Sequence, residues 1–246
     1  MYSIDIQSLT KRFEDKTALD GLTLTIEEGE LFGLLGPNGA GKTVTIKILC
    51  GILPPTSGTA KVDGFDVTRD SDKIHRIIGL CPQQPAYFSH LTGRENIELF
   101  GALHNVPAKK LKERTAQLVE AVGLSEDADR RTSKYSGGTI RRVSLAMALV
   151  NDPAIAFLDE PTVAMDPQSR LATWGIIKSL KQEGKTIILT SHYIEEVEAL
   201  ADRVGIIDHG RLIALGTPEE LKQKHKVSNL EEAFIQLTGR RIREEG

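Results

Sequence analysis

The sequence is poor in the residues that several protein classes depend on. Two cysteines, Cys50 and Cys81, stand in 246 residues, too few for a disulfide framework. Each lies in an apolar stretch, as expected of a buried thiol in a reducing compartment. No Cys-x-x-Cys or His-Glu-x-x-His spacing occurs, so no protein-built metal site of those kinds is expected. No apolar run approaches the roughly 20 residues of a membrane helix. Met1 to Leu9 is short and polar, unlike a secretory leader. The net charge of −3 argues against a generic nucleic-acid binder, which is strongly basic. There is no internal repeat and no low-complexity tract. What is present, 40% hydrophobic and 26% charged residues, suits a globular chain with a sizeable core. The length suits one large domain, or one core carrying an inserted sub-domain.

Patterning along the chain alternates between strand and helix. Ile4 and Ile6, then Leu22, Leu24 and Ile26, alternate with polar residues as strands with one wet face do. Leu31 to Leu35 is apolar throughout and predicts a buried strand. A helix follows to about Cys50 and ends at Gly51. Further strands are expected at Ala60–Val62 and Ile77–Cys81. Thr92-Gly93-Arg94-Glu95 is a capping box opening a helix with Ile97 and Phe100 on one face. Leu111, Leu118, Val119 and Val122 mark a second helix, closed by Gly123. The all-helical stretch from Tyr87 to Lys134 therefore interrupts an α/β pattern. That pattern resumes with a helix over Arg141–Val150 and a buried strand over Ala154–Leu158. Asp166-Pro167 starts a helix that turns Leu171, Trp174, Ile177 and Leu180 inward. Thr186–Thr190 predicts a buried strand. Asp208-His209-Gly210 predicts a hairpin between Val204–Ile207 and Leu212–Leu215. Thr217-Pro218-Glu219-Glu220 opens a further helix. The charged end, Arg240 to Gly246, is expected to fray.

The eight residues Gly36-Pro37-Asn38-Gly39-Ala40-Gly41-Lys42-Thr43 match G-x-x-x-x-G-K-[ST] between a strand and a helix. Glycines let the backbone wrap an anion so that several N–H groups converge on it, and the helix adds its positive end. Lys42 offers a cation to the β- and γ-phosphates, and Thr43 a hydroxyl to Mg²⁺. A second element turns nucleotide binding into hydrolysis. The strand ending Leu158-Asp159-Glu160 delivers two carboxylates at its C-terminal end, where open α/β sheets place ligands. Asp159 is assigned to Mg²⁺, and Glu160 to the attacking water as base. His192 follows the Thr186–Thr190 strand and can bond the γ-phosphate and the base, although a lone histidine is more often structural. Gln83 can reach Mg²⁺ and the water. Adjacent Gln84 leaves that assignment open by one residue.

Tyr135-Ser136-Gly137-Gly138-Thr139-Ile140-Arg141-Arg142 resembles the signature of ABC ATPases, usually Leu-Ser-Gly-Gly followed by Gln. The other motifs fall in the family's order over Ser3 to about Gly239. The resemblance implies an α/β P-loop NTPase (RecA-like) core with an antiparallel β sub-domain and an inserted α-helical sub-domain. The core with its β sub-domain is assigned to 1–84 and 151–225, the helical sub-domain to 85–150 and a C-terminal helical tail to 226–246. Ser136 and Gly138, with Gly137, stand where the family contacts the γ-phosphate. Gln83 matches the Q-loop, Asp166 the D-loop acid and His192 the switch histidine. Phe13 resembles the residue that stacks on adenine, or is a core Phe at a strand edge. Three departures stand out: Tyr135 and Thr139 in the signature, Ala164-Met165 where Gly-Leu is usual, and Val44 where a hydroxyl residue is common.

The family resemblance implies an ATPase using ATP and Mg²⁺ as a head-to-tail dimer of identical or related ATP-binding subunits. The cradle of one subunit would face Ser136 and Gly138 of the other. A separate transmembrane permease would hold the chain, peripherally, at the cytoplasmic face of the membrane. The tail Gly216–Leu221 with Leu230–Phe234 and Leu237–Arg240 resembles that of drug, antibiotic and lipid exporters, although importers read similarly. Tyr87, Phe88 and Leu91 either line a permease groove beside Gln83 or seal the helical sub-domain onto the core. The alternative function is a soluble ABC ATPase driving an assembly or repair step.

Overall fold

Unbroken apolar runs give the short inner strands two buried faces, and this places a sheet at the centre of the molecule. The computed structural model describes residues 2–14 and 16–239; the expected fraying of 240–246 lies outside them. In chain order, β1 (Tyr2–Phe13) and β2 (Lys16–Glu27) precede β3 (Leu31–Leu35) and α1 (Lys42–Leu49). Then come β4 (Ser57–Val62), β5 (Phe65–Asp66), α2 (Ser71–Ile77) and β6 (Ile78–Cys81). The helices α3 (Gly93–Leu103), α4 (Ala108–Ala121) and α5 (Gly137–Leu149) follow, with a 3₁₀ turn at Thr132–Lys134. The chain continues as β7 (Ile155–Asp159), α6 (Pro167–Gln182), β8 (Thr186–Thr190) and α7 (Ile194–Leu200). It closes with β9 (Arg203–Asp208), β10 (Arg211–Gly216), α8 (Pro218–His225) and α9 (Leu230–Thr238).

Among the described residues, the central sheet has the order β10-β9-β3-β8-β7-β6, and a second sheet the order β2-β1-β4-β5. The strands β9, β3, β8, β7 and β6 run parallel; only β10 is antiparallel, in the hairpin with β9. The second sheet is antiparallel throughout. Period-two geometry splits the central strands between two cores. Phe32, Leu34, Ile155, Phe157 and Ile188 point into one with the antiparallel sheet and α1. Leu31, Leu35, Ala156, Leu158, Ile187 and Leu189 point into the other with the helices. Each core contains one of the two free cysteines, and burial pushes both thiols up.

The helix caps follow the sequence signals. Thr92 and Thr217 each form a complete capping box, and Asp166 caps α6 with Pro167 behind it. Two expectations need correction, and one helix carries no sequence signal. Leu171 is 62% exposed rather than inward, on the outer side of α6. Helix α5 begins at Gly137, four residues before the expected start, because the Ser136 hydroxyl accepts the Thr139 N–H at 3.2 Å and closes a cap. Helix α2 has a single buried residue, Ile74, so no apolar stripe announced it.

Candidate active site

The parallel strands deliver their functional residues to one edge of the sheet. Leu35, Cys81, Asp159 and Thr190 are neighbouring C-terminal strand ends, with Cys81 paired beside Leu158 and Asp159 beside Thr190. The chain leaves these ends into the Gly36 loop, Gln83, Glu160 and His192 in turn. Ligands of open α/β sheets sit at this edge.

After β3 the backbone folds tightly back on β2. Gly41 has φ +112°, and a Cβ there would lie 2.7 Å from the Ala18 carbonyl oxygen. Only glycine tolerates both the angle and the approach. The N–H groups of Lys42, Thr43 and Val44 form the first turn of α1, where no intrahelical acceptor exists, and they meet the positive end of the helix. The Lys42 ammonium donates to the carbonyls of Gly36 at 2.6 Å and Pro37 at 3.3 Å. Burial lowers its proton affinity, and the Glu160 and Asp159 carboxylates act in the opposite direction. A cavity of about 370 Å³ opens over this loop. Asn38 to Val44, Lys16, Gln83 and Glu160 line it, with Phe13 at its side. Phe13 is 43% exposed, so it is no core residue.

Beneath the loop the two carboxylates take different partners. The Asp159 Oδ2 accepts the Thr43 hydroxyl at 2.9 Å, and Oδ1 accepts Thr190 Oγ1 at 2.6 Å. Burial raises the Asp159 carboxyl above its ordinary pKa, against the hydrogen bonds from Thr190 and Thr43. Glu160 is 5% exposed, with a left-handed φ of +56° that turns it away from the strand line. His192 Nε2 lies 2.7 Å from Glu160 Oε1, and Gln83 Nε2 donates to both carboxylate oxygens at 3.2 Å. Burial opposes ionisation of Glu160, but His192, Gln83 and Lys42 outweigh it and hold the carboxyl below its usual pKa. One carboxyl is thus pushed up and its neighbour down, the separation expected of groups with different tasks. Of the two adjacent glutamines, it is Gln83 that meets Glu160. Gln84 lines a neighbouring cavity with Thr43, Asp159 and Gln83.

Ser136, Gly137, Gly138 and Asp166 do not line the cavity over the loop. They gather elsewhere. A Cβ on Gly138 would lie 3.2 Å from the Ala164 carbonyl oxygen, and one on Gly137 3.7 Å from the Ala164 methyl. The turn after β7 therefore packs on the start of α5 within one chain. Ala164 adopts φ +61° there, holding a left-handed turn without glycine. The Asp166 carboxylate is engaged in capping α6, accepting from the Ser169 N–H at 2.9 Å and its hydroxyl at 2.6 Å.

An apolar cavity of about 470 Å³ is lined by residues of β6, α2, α3 and α5. Ile52, Leu80, Pro82, Ala86, Phe100 and Leu103 contribute its apolar wall. Tyr87, Phe88 and Leu91 do not line it. Tyr87 packs on the helical core, and the Phe88 backbone is clamped by Asn96.

Sequence reasoning missed three residues. Thr190 holds Asp159 and also accepts the Glu160 N–H at 3.1 Å. Arg141, buried on α5, donates to the carbonyls of Pro82 at 2.7 Å and Gln83 at 2.6 Å, tying the start of α5 to the Gln83 loop. Glu196 on α7 is fully buried. Arg141 stands beside Arg142, and Glu196 between Glu195 and Glu198, so nothing local singles them out; burial does, since buried charges require partners.

Comparison with known proteins agrees with this geometry. The family model described as ABC transporter matches residues 19–163. The daunorubicin resistance ATP-binding protein DrrA3 of Streptomyces coeruleorubidus is 43% identical over 220 residues, covering 89% of this chain and 70% of that protein. The linearmycin resistance ATP-binding protein LnrL of Bacillus subtilis (strain 168) is 39% identical, covering 94% of this chain and 77% of that protein. A dimeric ATP-binding cassette in a post-hydrolysis state, bound to ADP and Pi, superimposes with a TM-score of 0.81 at 27% identity, covering 87% of this chain and 98% of that one.

Proposed function

The chain belongs to the ABC transporter family as an ATP-binding, ATP-hydrolysing subunit with a P-loop NTPase fold, and we propose that it works as a head-to-tail dimer under an efflux permease. The observation carrying this reading is the division of the phosphate-binding groups. The loop, Gln83 and Glu160 share one cavity, whereas Ser136 to Gly138 lie outside it. A two-fold pairing brings the missing half from a second copy and satisfies both sites with the same surface pair.

In this reading Gly36 to Thr43, with Val44, hold the phosphates of ATP, and Phe13 stacks on the base. Thr43 and Asp159, already hydrogen-bonded to each other, offer the oxygen donors that Mg²⁺ prefers, with the Gln83 amide oxygen as a third. Bound there, Mg²⁺ would neutralise charge on the terminal phosphates. Glu160 accepts the proton of a water whose oxygen bonds to the terminal phosphorus as the bond to the β–γ bridging oxygen breaks. His192 and Gln83 keep Glu160 ionised and aimed. Ser136, Gly137 and Gly138 of one copy, adjoining Asp166, grip the γ-phosphate held by the other. Hydrolysis removes that shared anion, so the closed dimer loses its bridge.

The core (1–84 and 151–225), the helical sub-domain (85–150) and the tail (226–246) then have separate tasks. The apolar cavity between β6 and α3 takes a helix of the permease, which holds the chain at the cytoplasmic face of the membrane. Among the described residues no helix is long and apolar enough to cross a membrane. Relatives named for daunorubicin and linearmycin resistance favour a drug-like cargo over a soluble assembly role. Glu160→Gln tests the central claim. It should retain ATP binding, lose turnover by at least about 100-fold, the scale of a positioned base, and elute as a dimer with Mg²⁺-ATP. Unimpaired turnover together with a monomer in ATP would refute it.

A further inference from the structure

Helix α7 carries a buried carboxylate with no place in the scheme above. Glu196 lies outside the nucleotide cavity and is fully buried. Removing a carboxyl group from water costs several kcal/mol unless it is hydrogen-bonded, so an apolar residue would serve better if packing alone were required. The partners of Glu196 come from separate stretches of chain. Thr162, two residues beyond Glu160, donates its hydroxyl to Oε2 at 3.1 Å. Trp174 of α6 donates its indole N–H to Oε1 at 2.7 Å. The hydroxyl of Ser191, beside His192, is a further partner. A parallel link joins the same elements, with the Arg170 guanidinium of α6 4.2 Å from the centre of the Tyr193 ring.

We propose that Glu196 is a positioning residue whose carboxylate joins the turn after Glu160 to the loop of His192 and so fixes the 2.7 Å contact between those two side chains. The inference rests on the reading of Glu160 as the base. One carboxylate engages the segment just after Glu160 and the residue just before His192, and anchors them to the long helix α6. Without it, Thr162 and Ser191 lose a common acceptor, and the two loops can shift independently. Displacement of about 1 Å at a reacting centre costs on the order of 100-fold in rate. Glu196, Thr162, Trp174 and Ser191 do not line the cavity over the loop of Gly36 to Thr43, so nucleotide affinity should change little when the network is cut.

The test uses the full chain, with kcat and KM for Mg²⁺-ATP, equilibrium ATP binding and Tm measured side by side. Glu196→Leu, similar in volume and without hydrogen bonds, should lower kcat by about 10- to 100-fold with KM within about threefold. Glu196→Gln keeps an acceptor for Trp174 and offers an amide to the hydroxyls, and should recover kcat to within about fivefold of the wild type. Trp174→Phe removes one donor and should give a smaller kcat loss; this variant carries the test if Glu196→Leu does not fold. Unchanged kcat in folded Glu196→Leu and Trp174→Phe, a KM rise matching the kcat loss, or failure of Glu196→Gln to recover would each overturn the proposal. Glu160→Gln runs alongside. If it is inactive while the other variants are normal, only the role of Glu196 fails; if it turns over normally, both readings fall.

Discussion

Replacing Thr190 with valine removes one hydroxyl from beneath the active site while keeping the side chain's shape. Thr190 is completely buried, and its Oγ1 donates to Asp159 at 2.6 Å. The carboxylate it serves is only 2% exposed, so water cannot replace the lost donor. A hydrogen bond to a charged group contributes about 1.5–3 kcal/mol. The Glu160 N–H also loses an acceptor but keeps the Thr190 carbonyl at 3.1 Å. The net cost at pH 8 should be about 2 kcal/mol, or roughly 4–8 °C in Tm for a chain of this size. The pH dependence has a definite sign. Burial raises the Asp159 pKa in the folded chain. Its contribution to stability is therefore present in full below the unfolded pKa and is lost as pH rises through the folded one. Thr190→Val deprives the charged form of a donor and raises the folded pKa further. The difference in Tm between variant and wild type should then be largest at pH 8 and shrink towards pH 4. Thermal melts of both proteins across that range make the measurement. A Tm within about 1 °C of wild type at pH 8, or a gap that widens on acidification, would refute the argument.

Three other variants probe separate parts of the scheme. Lys42→Ala should weaken ATP binding by at least tenfold, the effect of losing a charge-assisted contact of about 1.4 kcal/mol or more, as measured by titration with a fluorescent nucleotide. Ser136→Arg should leave that binding within about twofold but abolish the ATP-dependent dimer, because the bulk stands where the second copy must close; light scattering with Mg²⁺-ATP reads the outcome. Ile52 and Leu103 are 56% and 67% exposed at the apolar cavity. Changing both to Glu should alter Tm by less than about 2 °C, as surface substitutions do, while abolishing co-purification with a co-expressed permease.

The parts legible in the sequence were those decided over a few residues. Leu31–Leu35 and Thr186–Thr190 read as buried strands because every position is apolar or β-branched, and all are buried. Thr92, Asp166 and Thr217 announced helix starts because a cap acts over three or four residues. Motif order brought Gln83, Glu160 and His192 into one account, and they are in contact. What escaped notice depends on distant partners. The position of Thr190 within a strand does not reveal that its hydroxyl meets Asp159, since that follows from the parallel register. Arg141 looked like one of two basic residues on a helix; only tertiary structure turns it towards the Gln83 backbone. Gly137-Gly138 discouraged an early start for α5 because glycine is a poor helix former, yet the Ser136 cap prevails. Tyr87, close to Gln83 in sequence, packs on the helical core, whereas the apolar cavity draws its wall from four separate stretches.

The central sheet works as a partition as well as a platform. The two cores on its faces have no buried residue in common. Among the described residues, repacking under the helices reaches the nucleotide site through the strands' own backbone and through Arg141, which ties α5 to the carbonyls of Pro82 and Gln83. Side-chain changes in the helical core are thereby held one layer away from the residues that pack beneath the loop of Gly36 to Thr43, Ala40 among them.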